Sequence, residues 1–267
     1  MIISLRNNEI LESLRNAKIY DLAFNITPDM AVHPTHPPYV FSLWKRHEDA
    51  QLGDGLSAAV DFFMMCGHHS THIDALCHFA QNHKIHGGKD VATIESYRGF
   101  KEDSISNTPP IVARGILLDV ANSKGQRELP SNYAITAEDI KSCLGIERVE
   151  VLRGDVVLVR TGWAKYWNDA STHQKVITQC PGLSGDASRW LVKNNVRCVG
   201  IDTDPDVSGS FESHKSLLIE GGINIIERIY LDEIAEGRVY EFIFICLPLK
   251  IVGATASPIR PIALTIR

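Results

Sequence analysis

The sequence predicts a mixed fold of the α/β or α+β class in a single domain that covers residues 1–267. Apolar segments typical of strands are interleaved with segments of helical periodicity, and no segment is repeated. No linker divides the chain, and 267 residues are enough to bury a substantial core. We therefore expect one mixed β-sheet with helices packed against it.

The N-terminal third is predicted to contain a helix, three strands and a proline-rich loop. Residues 5–16 carry leucine and isoleucine at helical spacing, and residues 19–26 read as a strand. Residues 28–39 contain four prolines, which exclude regular structure, and loops with imidazole and aromatic side chains often line pockets. Strands over residues 41–44 and 58–65 are predicted to pair or to lie side by side.

The rest of the chain alternates between buried strands and capped helices. Helices are predicted to begin at Thr136, which is followed by two acidic residues, and at Ser184. Short apolar runs predict buried strands over residues 111–120, 154–160, 199–203, 223–226, 240–246 and 262–266. The strand at 199–203 ends in acidic residues, and such strand ends commonly face a site in α/β proteins.

The densest group of chemically active side chains lies in residues 66–79. His68, His72 and Asp74 share even numbering, so an extended backbone would point all three to one face. Imidazole and carboxylate donors together suit zinc, manganese or iron. The two cysteines of the stretch form no CxxC pair, which disfavours a zinc finger. The pattern therefore predicts a site for a divalent metal.

Asp74 is also a suitable N-cap for a short helix predicted over residues 75–80. Such a helix would place His78 one turn further on, close to the Asp74 carboxylate. Histidines can also cluster on a surface or sit in a core without binding anything. Six of the eleven histidines nevertheless fall between residues 68 and 86, around an aspartate flanked by apolar residues, and this favours the metal site.

Composition and charge restrict the partners and the compartment. The formal net charge is −5, which disfavours a nucleic-acid partner. The N-terminus has no secretory pattern, and no apolar run reaches the roughly 18–20 residues that span a bilayer, so a cytoplasmic protein without membrane contact is expected. Six scattered cysteines fit reduced thiols better than a disulfide framework.

Several stretches resemble the metal-dependent cyclase superfamily, which includes bacterial kynurenine formamidase, isatin hydrolase and trans-dienelactone hydrolase. Residues 68–79 read HHSTHIDALCHF, where the signature of that family is HxGTHxDxPxHF. Ser70 replaces the glycine and Leu76 the proline, two changes that concern backbone shape and leave the donors in place. The resemblance extends over nearly the whole chain, through residues 21–22, 154–163, 181–184, 200–203, 214–218 and 248–260.

The resemblance implies a barrel-like mixed sheet flanked by helices, of the swivelling β/β/α type, and a metal centre. His68, His72 and Asp74 would hold one divalent ion, Zn²⁺ or Mn²⁺. Asp74 would bridge to a second ion held by His214 and Glu227. One or two ions per chain are therefore expected, since some members of the family, including isatin hydrolase, work with one.

Two alternatives stay open for the second ion's donors. Glu220 is a rival of Glu227 as the late carboxylate. Glu227 could instead form a surface ion pair with Arg228, and His214 could be a solvated loop residue.

The remaining site residues are expected around these donors. His78 would act as general acid and base, since an imidazole changes its charge near neutral pH. The side chains expected to line the substrate pocket are His33, His36, Tyr39, Phe62 and Phe63.

The sequence and the resemblance together predict a metal-dependent hydrolase of a small amide or formamide, similar to kynurenine formamidase and acting on C–N bonds other than peptide bonds. Metal-activated water would be the nucleophile, and the Gly-x-Ser-x-Gly elbow of serine hydrolases does not occur. An isatin-hydrolase-like or lactone-opening enzyme is the alternative, and a catalytically silent metal-binding protein is the second. The resemblance also implies a homodimer or homotetramer.

Overall fold

The computed structural model describes residues 8–167 and 169–266, and one nine-stranded mixed sheet organises them. The strands are β1 (Lys18–Asp21), β2 (Val40–Lys45), β3 (Gln51–Gly53), β4 (Leu56–Ser57), β5 (Val60–Met64), β6 (His72–Asp74), β7 (Ile111–Asp119), β8 (Ala134–Ile135), β9 (Val156–Arg160), β10 (Gly182–Leu183), β11 (Cys198–Ile201), β12 (Asn224–Glu227), β13 (Glu241–Cys246), β14 (Ala256–Pro258) and β15 (Ile262–Thr265). The helices are α1 (Asn8–Arg15), α2 (Val91–Ile94), α3 (Val120–Ser123), α4 (Ala137–Glu147), α5 (His173–Gln179), α6 (Gly185–Lys193), α7 (Glu212–His214) and α8 (Asp232–Glu236).

The large sheet has the strand order β1-β15-β13-β7-β9-β11-β12-β6-β14. Its four central strands, β7, β9, β11 and β12, run parallel, and antiparallel strands flank them on both sides. The sheet curls into a half-barrel, so the predicted mixed α/β class and the barrel-like sheet are confirmed.

The central strands are buried on both faces. Val156 and Leu158 of β9 belong to one apolar cluster, whereas Val157 and Val159 belong to another on the opposite face, which α4 and α6 cover. Successive side chains of a strand alternate between faces, so burial of both faces requires an uninterrupted apolar run. This explains why the strands were visible in the sequence as short apolar segments.

The predicted helix starts are confirmed by their caps. The Thr136 side chain accepts from the Asp139 backbone N–H at 3.1 Å, and the Asp139 carboxylate accepts from the Thr136 N–H at 2.9 Å, which completes a capping box. The Ser184 hydroxyl accepts from the Ala187 N–H at 3.4 Å and caps α6, without a reciprocal bond. At the N-terminus, α1 begins at Asn8, and the predicted helical residues 5–7 lie outside the described part of the chain.

Two predicted elements are shorter or different in the structure. The strand predicted over residues 19–26 ends at Asp21, whose side chain accepts from the Ala23 N–H at 3.2 Å and turns the chain. The helix predicted over residues 75–80 is wrong. The segment makes a single turn closed by the His78 N–H on the Ala75 carbonyl, because the neighbouring Cys77 N–H bonds instead to the distant Asp103 carbonyl.

The strands β2 and β5 pair antiparallel as predicted, but they stand apart from the large sheet. Every residue of both strands is exposed, on both faces of the pair. In the ranges that the structure describes, no helix is both long enough and apolar enough to cross a membrane.

Candidate metal centre

The strand β6 carries the first two donors. It lies between β12 and β14, and His72 pairs with Glu227 on one side and with Pro258 on the other. Ile73 points into the apolar core and is fully buried, so His72 and Asp74 point together to the opposite face. Side chains therefore alternate between the two faces of the sheet as the sequence predicted, but only over residues 72–74.

His68 does not lie on the strand. It belongs to a turn in which the His69 N–H donates to the Cys66 carbonyl at 3.2 Å. Ser70, which follows, has a left-handed backbone (φ 55°), and this is the position where the family signature has glycine. The turn brings His68 Nδ1 to 2.9 Å from Asp74 Oδ1. His68 therefore lies next to Asp74, but it is placed there by a turn and not by the extended strand that was predicted.

The distant donors His214 and Glu227 join the same group. His214 Nε2 lies 3.2 Å from Glu227 Oε1 and 3.7 Å from Asp74 Oδ2. Glu227 is the last residue of β12, and its other oxygen lies 3.4 Å from His72 Nε2. Glu220 is exposed and lies 3.9 Å from Lys215, so the structure places Glu227 in the site and Glu220 outside it.

These distances suit donors that share a cation. Two donors about 2.0–2.1 Å from a tetrahedral ion lie roughly 3.4 Å apart. His72 Nε2 is 3.5 Å from Asp74 Oδ1 and 3.4 Å from Glu227 Oε2. His68, Asp74 and His78 form a second compact donor group, so Asp74 belongs to both groups, as a bridging carboxylate would.

Unpartnered buried atoms support the same conclusion. Both carboxylate oxygens of Asp74, which is fully buried, lack a hydrogen bond of acceptable geometry, and so does His72 Nε2. Buried polar atoms are normally paired, and leaving a buried charge unpaired costs several kcal/mol. The residues therefore fit a divalent cation.

Each imidazole of the donor set is held through its other nitrogen. His72 Nδ1 contacts the Ser70 carbonyl at 2.9 Å, and His68 Nε2 contacts Thr255 Oγ1 at 2.9 Å. His214 Nδ1 lies 2.5 Å from Asp206 Oδ2. Such contacts fix the ring and the tautomer, and they leave the remaining nitrogen as an electron-pair donor for a metal. Three imidazoles are thus oriented before any ligand binds.

The charges of the site are balanced by protons when no cation is bound. Burial, reinforced by the negative charge of Asp74, raises the pKa of Glu227 to about 7. Burial opposes the charge on His214, but the neighbouring carboxylates of Asp206, Asp74 and Glu227 outweigh it and raise the pKa of His214 well above its usual value. A cation placed among the three buried carboxylates would replace these protons.

The His78 ring lies next to the rings of two donor histidines. Its ring is 4.0 Å from the His68 ring and 5.8 Å from the His214 ring, measured between centroids. Burial lowers the pKa of His78 to about 3, more than the nearby Asp74 charge raises it. The imidazole is therefore neutral at pH 7 and able to accept a proton.

A cavity of about 640 Å³ opens onto the donor set. His68, His78, His214 and Glu227 form its floor. Residues 33–36 and 207–211 form parts of its wall, where Phe79 and Phe211 lie with ring centroids 5.8 Å apart. The volume suits a small organic molecule.

The predicted lining residues fall into two groups. His33 and His36 line the cavity, and burial lowers the pKa of His36 to about 4. Tyr39, Phe62 and Phe63 do not border it within one chain. Phe62 and Phe63 lie on the exposed strand β5, whose pairing with β2 holds the segment away from the large sheet.

Three functional residues were missed by sequence reasoning. Asp206 and Thr255 hold donor imidazoles, and Arg228 is the one Lys or Arg among the described residues that line the cavity. Arg228 is buried and donates through Nε to Asp204 at 3.0 Å, so the alternative of a surface pair with Glu227 is wrong. The acids after β11 gave a partial signal for Asp204 and Asp206, whereas Thr255 lies 187 residues from its partner and gave none.

Comparisons with known proteins agree with this arrangement. The family model "Putative cyclase" matches residues 20–205, about two thirds of the chain. The chain belongs to the cyclase family. A kynurenine formamidase of Sphingopyxis alaskensis is 28% identical over 251 residues, covering 92% of this chain and 97% of that protein. An uncharacterised protein of Methanocaldococcus jannaschii is 38% identical over 133 residues, which are 49% of this chain and 62% of that protein.

Solved structures share the fold over almost the full length. A crystal structure of a novel cyclase superposes with a TM-score of 0.86 at 27% identity, over 97% of this chain and 93% of that one. Isatin hydrolase A from Ralstonia solanacearum superposes with a TM-score of 0.74 at 19% identity, over 99% and 98% of the two chains. At the level of reaction class, this cyclase-family chain is a hydrolase.

Proposed function

We propose that the protein is a metal-dependent hydrolase of a small amide or formamide, of the kynurenine formamidase type. The observation that carries the proposal is Asp74, fully buried with both oxygens unpartnered, at the centre of three oriented imidazoles and a second carboxylate. The relatives named kynurenine formamidase, which align over more than nine tenths of this chain, support the choice of reaction.

His68, His72, Asp74, His214 and Glu227 would hold one or two divalent cations, zinc or manganese. A bound divalent cation polarises a carbonyl oxygen and lowers the pKa of a water molecule from 15.7 to about 7. The three imidazoles keep their donor nitrogens aimed at one place because Ser70, Thr255 and Asp206 hold the opposite nitrogens.

His78 is the group that would move the proton. It is neutral at pH 7, so its imidazole can take a proton from water as the water attacks the carbonyl carbon. The resulting imidazolium, stabilised by the nearby Asp74 charge, returns the proton to the nitrogen as the C–N bond breaks. The products are a carboxylic acid and an amine, and His78 returns to its neutral form.

Arg228 would orient a substrate carboxylate. Its side chain is buried in the cavity wall next to Glu227, and its Nη1 has no hydrogen-bond partner while Nε is held by Asp204. A buried guanidinium with a free nitrogen suits an anionic group. The aromatic pair Phe79 and Phe211 at the cavity wall would pack against a ring. Both features suit a small aromatic amide that carries a carboxylate.

The experiment combines metal analysis with substrate choice. Protein purified without chelator should contain close to two equivalents of metal at this donor set and hydrolyse N-formylkynurenine faster than isatin. Chelation should abolish hydrolysis, and zinc or manganese should restore it. Close to one equivalent with isatin or lactone opening would assign the alternative activity. Full metal loading without hydrolysis of any of these substrates would leave a metal-binding protein, and absence of bound metal would contradict the mechanism.

We also propose that the protein forms a homodimer or homotetramer through the β2–β5 pair. An isolated two-stranded sheet is marginally stable in water, and here both of its faces expose large apolar side chains, among them Trp44, Phe62 and Phe63. A second copy would cover them. Sedimentation of the wild type and of Phe63→Asp tests this. A dimer or larger species that Phe63→Asp dissociates supports the proposal, and a monomeric wild type contradicts it.

A further inference from the structure

A further group of side chains that could bind a metal lies next to His68. His36 from the proline-rich loop, together with Cys66 and His69 from the turn, brings one donor atom each into a cluster in which all three lie within 4.8 Å of one another. The hydrogen bond from the His69 N–H to the Cys66 carbonyl closes the turn and sets these two side chains side by side. The cluster therefore depends on local backbone shape and on one distant loop.

The imidazoles of this cluster have no hydrogen-bond partners among the described residues. His69 is fully buried, and neither of its ring nitrogens makes a hydrogen bond. The Pro37 carbonyl approaches the ring but does not reach hydrogen-bond geometry. The half-buried His36 also has an unpartnered, buried Nδ1. A buried imidazole without any partner is costly, so a ligand that both rings can bind would stabilise this arrangement.

The cluster shares no donor with the first centre. His68 is the neighbouring donor of the first centre, and its ring centroid is 5.6 Å from that of His36. Its Nδ1, however, faces Asp74 at 2.9 Å and its Nε2 contacts Thr255 at 2.9 Å, so neither nitrogen is free for the second group.

We propose that His36, Cys66 and His69 form a separate cation site that holds a thiophilic divalent ion such as zinc. Two imidazoles and one thiolate form a donor set that binds zinc in preference to calcium or magnesium. Binding would release the Cys66 thiol proton to solvent as the sulfur–metal bond forms. Three protein donors leave one position of a tetrahedral ion for water or another ligand.

The local charges allow this ion. The positive charge of the Arg228 side chain helps to lower the pKa of both His36 and His69. It is already paired, because its Nε donates to Asp204 at 3.0 Å, and the Cys66 thiolate would add a compensating negative charge. The ion would join two segments that are 30 residues apart, as counted from His36 to Cys66. Since residues 33–36 line the cavity, the ion would fix that part of its wall.

Cobalt(II) distinguishes the two sites without reference to activity. The first centre offers only nitrogen and oxygen donors, so a thiolate-to-cobalt charge-transfer band in the near ultraviolet reports a cysteine ligand. We would remove metal from the purified protein with a chelator and then titrate it with Co²⁺ alone. The expected result is the charge-transfer band, with an amplitude that corresponds to one thiolate-bound cobalt ion per chain. In Cys66→Ala the band and that ion should both be lost.

Cys77→Ala is the matched control. Cys77 lies in the same stretch of chain but is buried in the core and belongs to neither donor group, so its variant should keep the band. His69→Asn should weaken cobalt binding at the thiolate site by about tenfold or more. Wild-type protein that shows no thiolate band at saturating Co²⁺ would overturn the proposal even if the variants failed to fold. A band that persists in Cys66→Ala would overturn it as well.

Discussion

The first centre around Asp74 and the second cluster of His36, Cys66 and His69 contain similar side chains but hold them differently. In the first centre, His68, His72 and His214 each have one ring nitrogen fixed by a neighbouring oxygen. In the second cluster, neither nitrogen of His69 has such a partner among the residues described. The donors of the proposed first centre are therefore held in place before an ion binds, whereas those of the second cluster would be ordered by the ion.

This difference is what would distinguish the proposed catalytic centre from the proposed auxiliary site. Orientation of the donors before binding requires partners from distant strands and loops, such as Thr255 and Asp206. The second cluster lacks them, so its affinity for a cation should be lower.

His72→Ala should abolish activity and reduce the metal content of the first centre. Loss of several kcal/mol of metal-dependent transition-state stabilisation corresponds to about 10³-fold or more in kcat/KM. The thiolate–cobalt band of the second cluster should persist, since His72 is no part of it. Elemental analysis, kinetics and the cobalt titration measure the three quantities.

His83→Asn is the control for that variant. His83 is exposed, lies in the same histidine-rich stretch and has a left-handed backbone (φ 60°), which Asn tolerates. It should keep both the activity and the metal. Full activity in His72→Ala would contradict the assignment of the first centre.

His78→Gln should lower kcat by about 10²–10⁴-fold, the usual contribution of a general acid or base. The metal content should stay unchanged, because the remaining donors and their oxygen partners are intact. Kinetics and elemental analysis on the same preparation separate the two effects. If metal is lost together with activity, His78 serves as a metal ligand rather than as the proton carrier.

Asp206→Asn should weaken metal binding at the first centre by about 10–100-fold, because the amide no longer fixes and polarises the His214 ring. Competition with a chromophoric chelator measures this affinity. Asp29→Asn, an exposed aspartate outside both clusters, is the control and should bind metal as the wild type does. An unchanged affinity in Asp206→Asn would remove preorganisation as the distinction between the clusters.

The smallest effect concerns a carboxyl group outside both clusters. Burial raises the pKa of Glu147 from 4.5 to about 7, although one oxygen accepts from the Asp119 N–H. The folded state therefore binds a proton that the unfolded state releases, and stability falls as pH rises from about 4.5 to about 7. Above that range Glu147→Gln should recover about 1–2 kcal/mol, a value reduced for partial exposure.

Urea unfolding of Glu147→Gln and of the wild type at pH 5 and pH 8 measures this difference. The gain should be present at pH 8 and much smaller at pH 5. Equal differences in unfolding free energy at the two pH values would show that Glu147 does not titrate in this range.

Local patterns account for the parts of the site that the sequence revealed. The alternation of His72, Ile73 and Asp74 is a property of any extended segment, and the apolar runs of β7, β9 and β11 reflect burial of both faces. The capping residues Thr136 and Ser184 act on their own helices. His214 and Glu227 were identified only through the family resemblance, because 140 residues or more separate them from Asp74.

The sequence by itself determined the mixed fold class, the central strands, two helix starts and the common face of His72 and Asp74. These features depend on contacts within one strand or one helical turn, which a periodic pattern records. The tertiary structure alone decided that Glu227 and not Glu220 faces Asp74, that residues 75–78 form a turn, and that β5 carries Phe62 and Phe63 away from the cavity. It also placed Thr255, Asp206 and Arg228 at the site. Such contacts join residues that are far apart in the chain, and no local pattern specifies which strands become neighbours in the folded sheet.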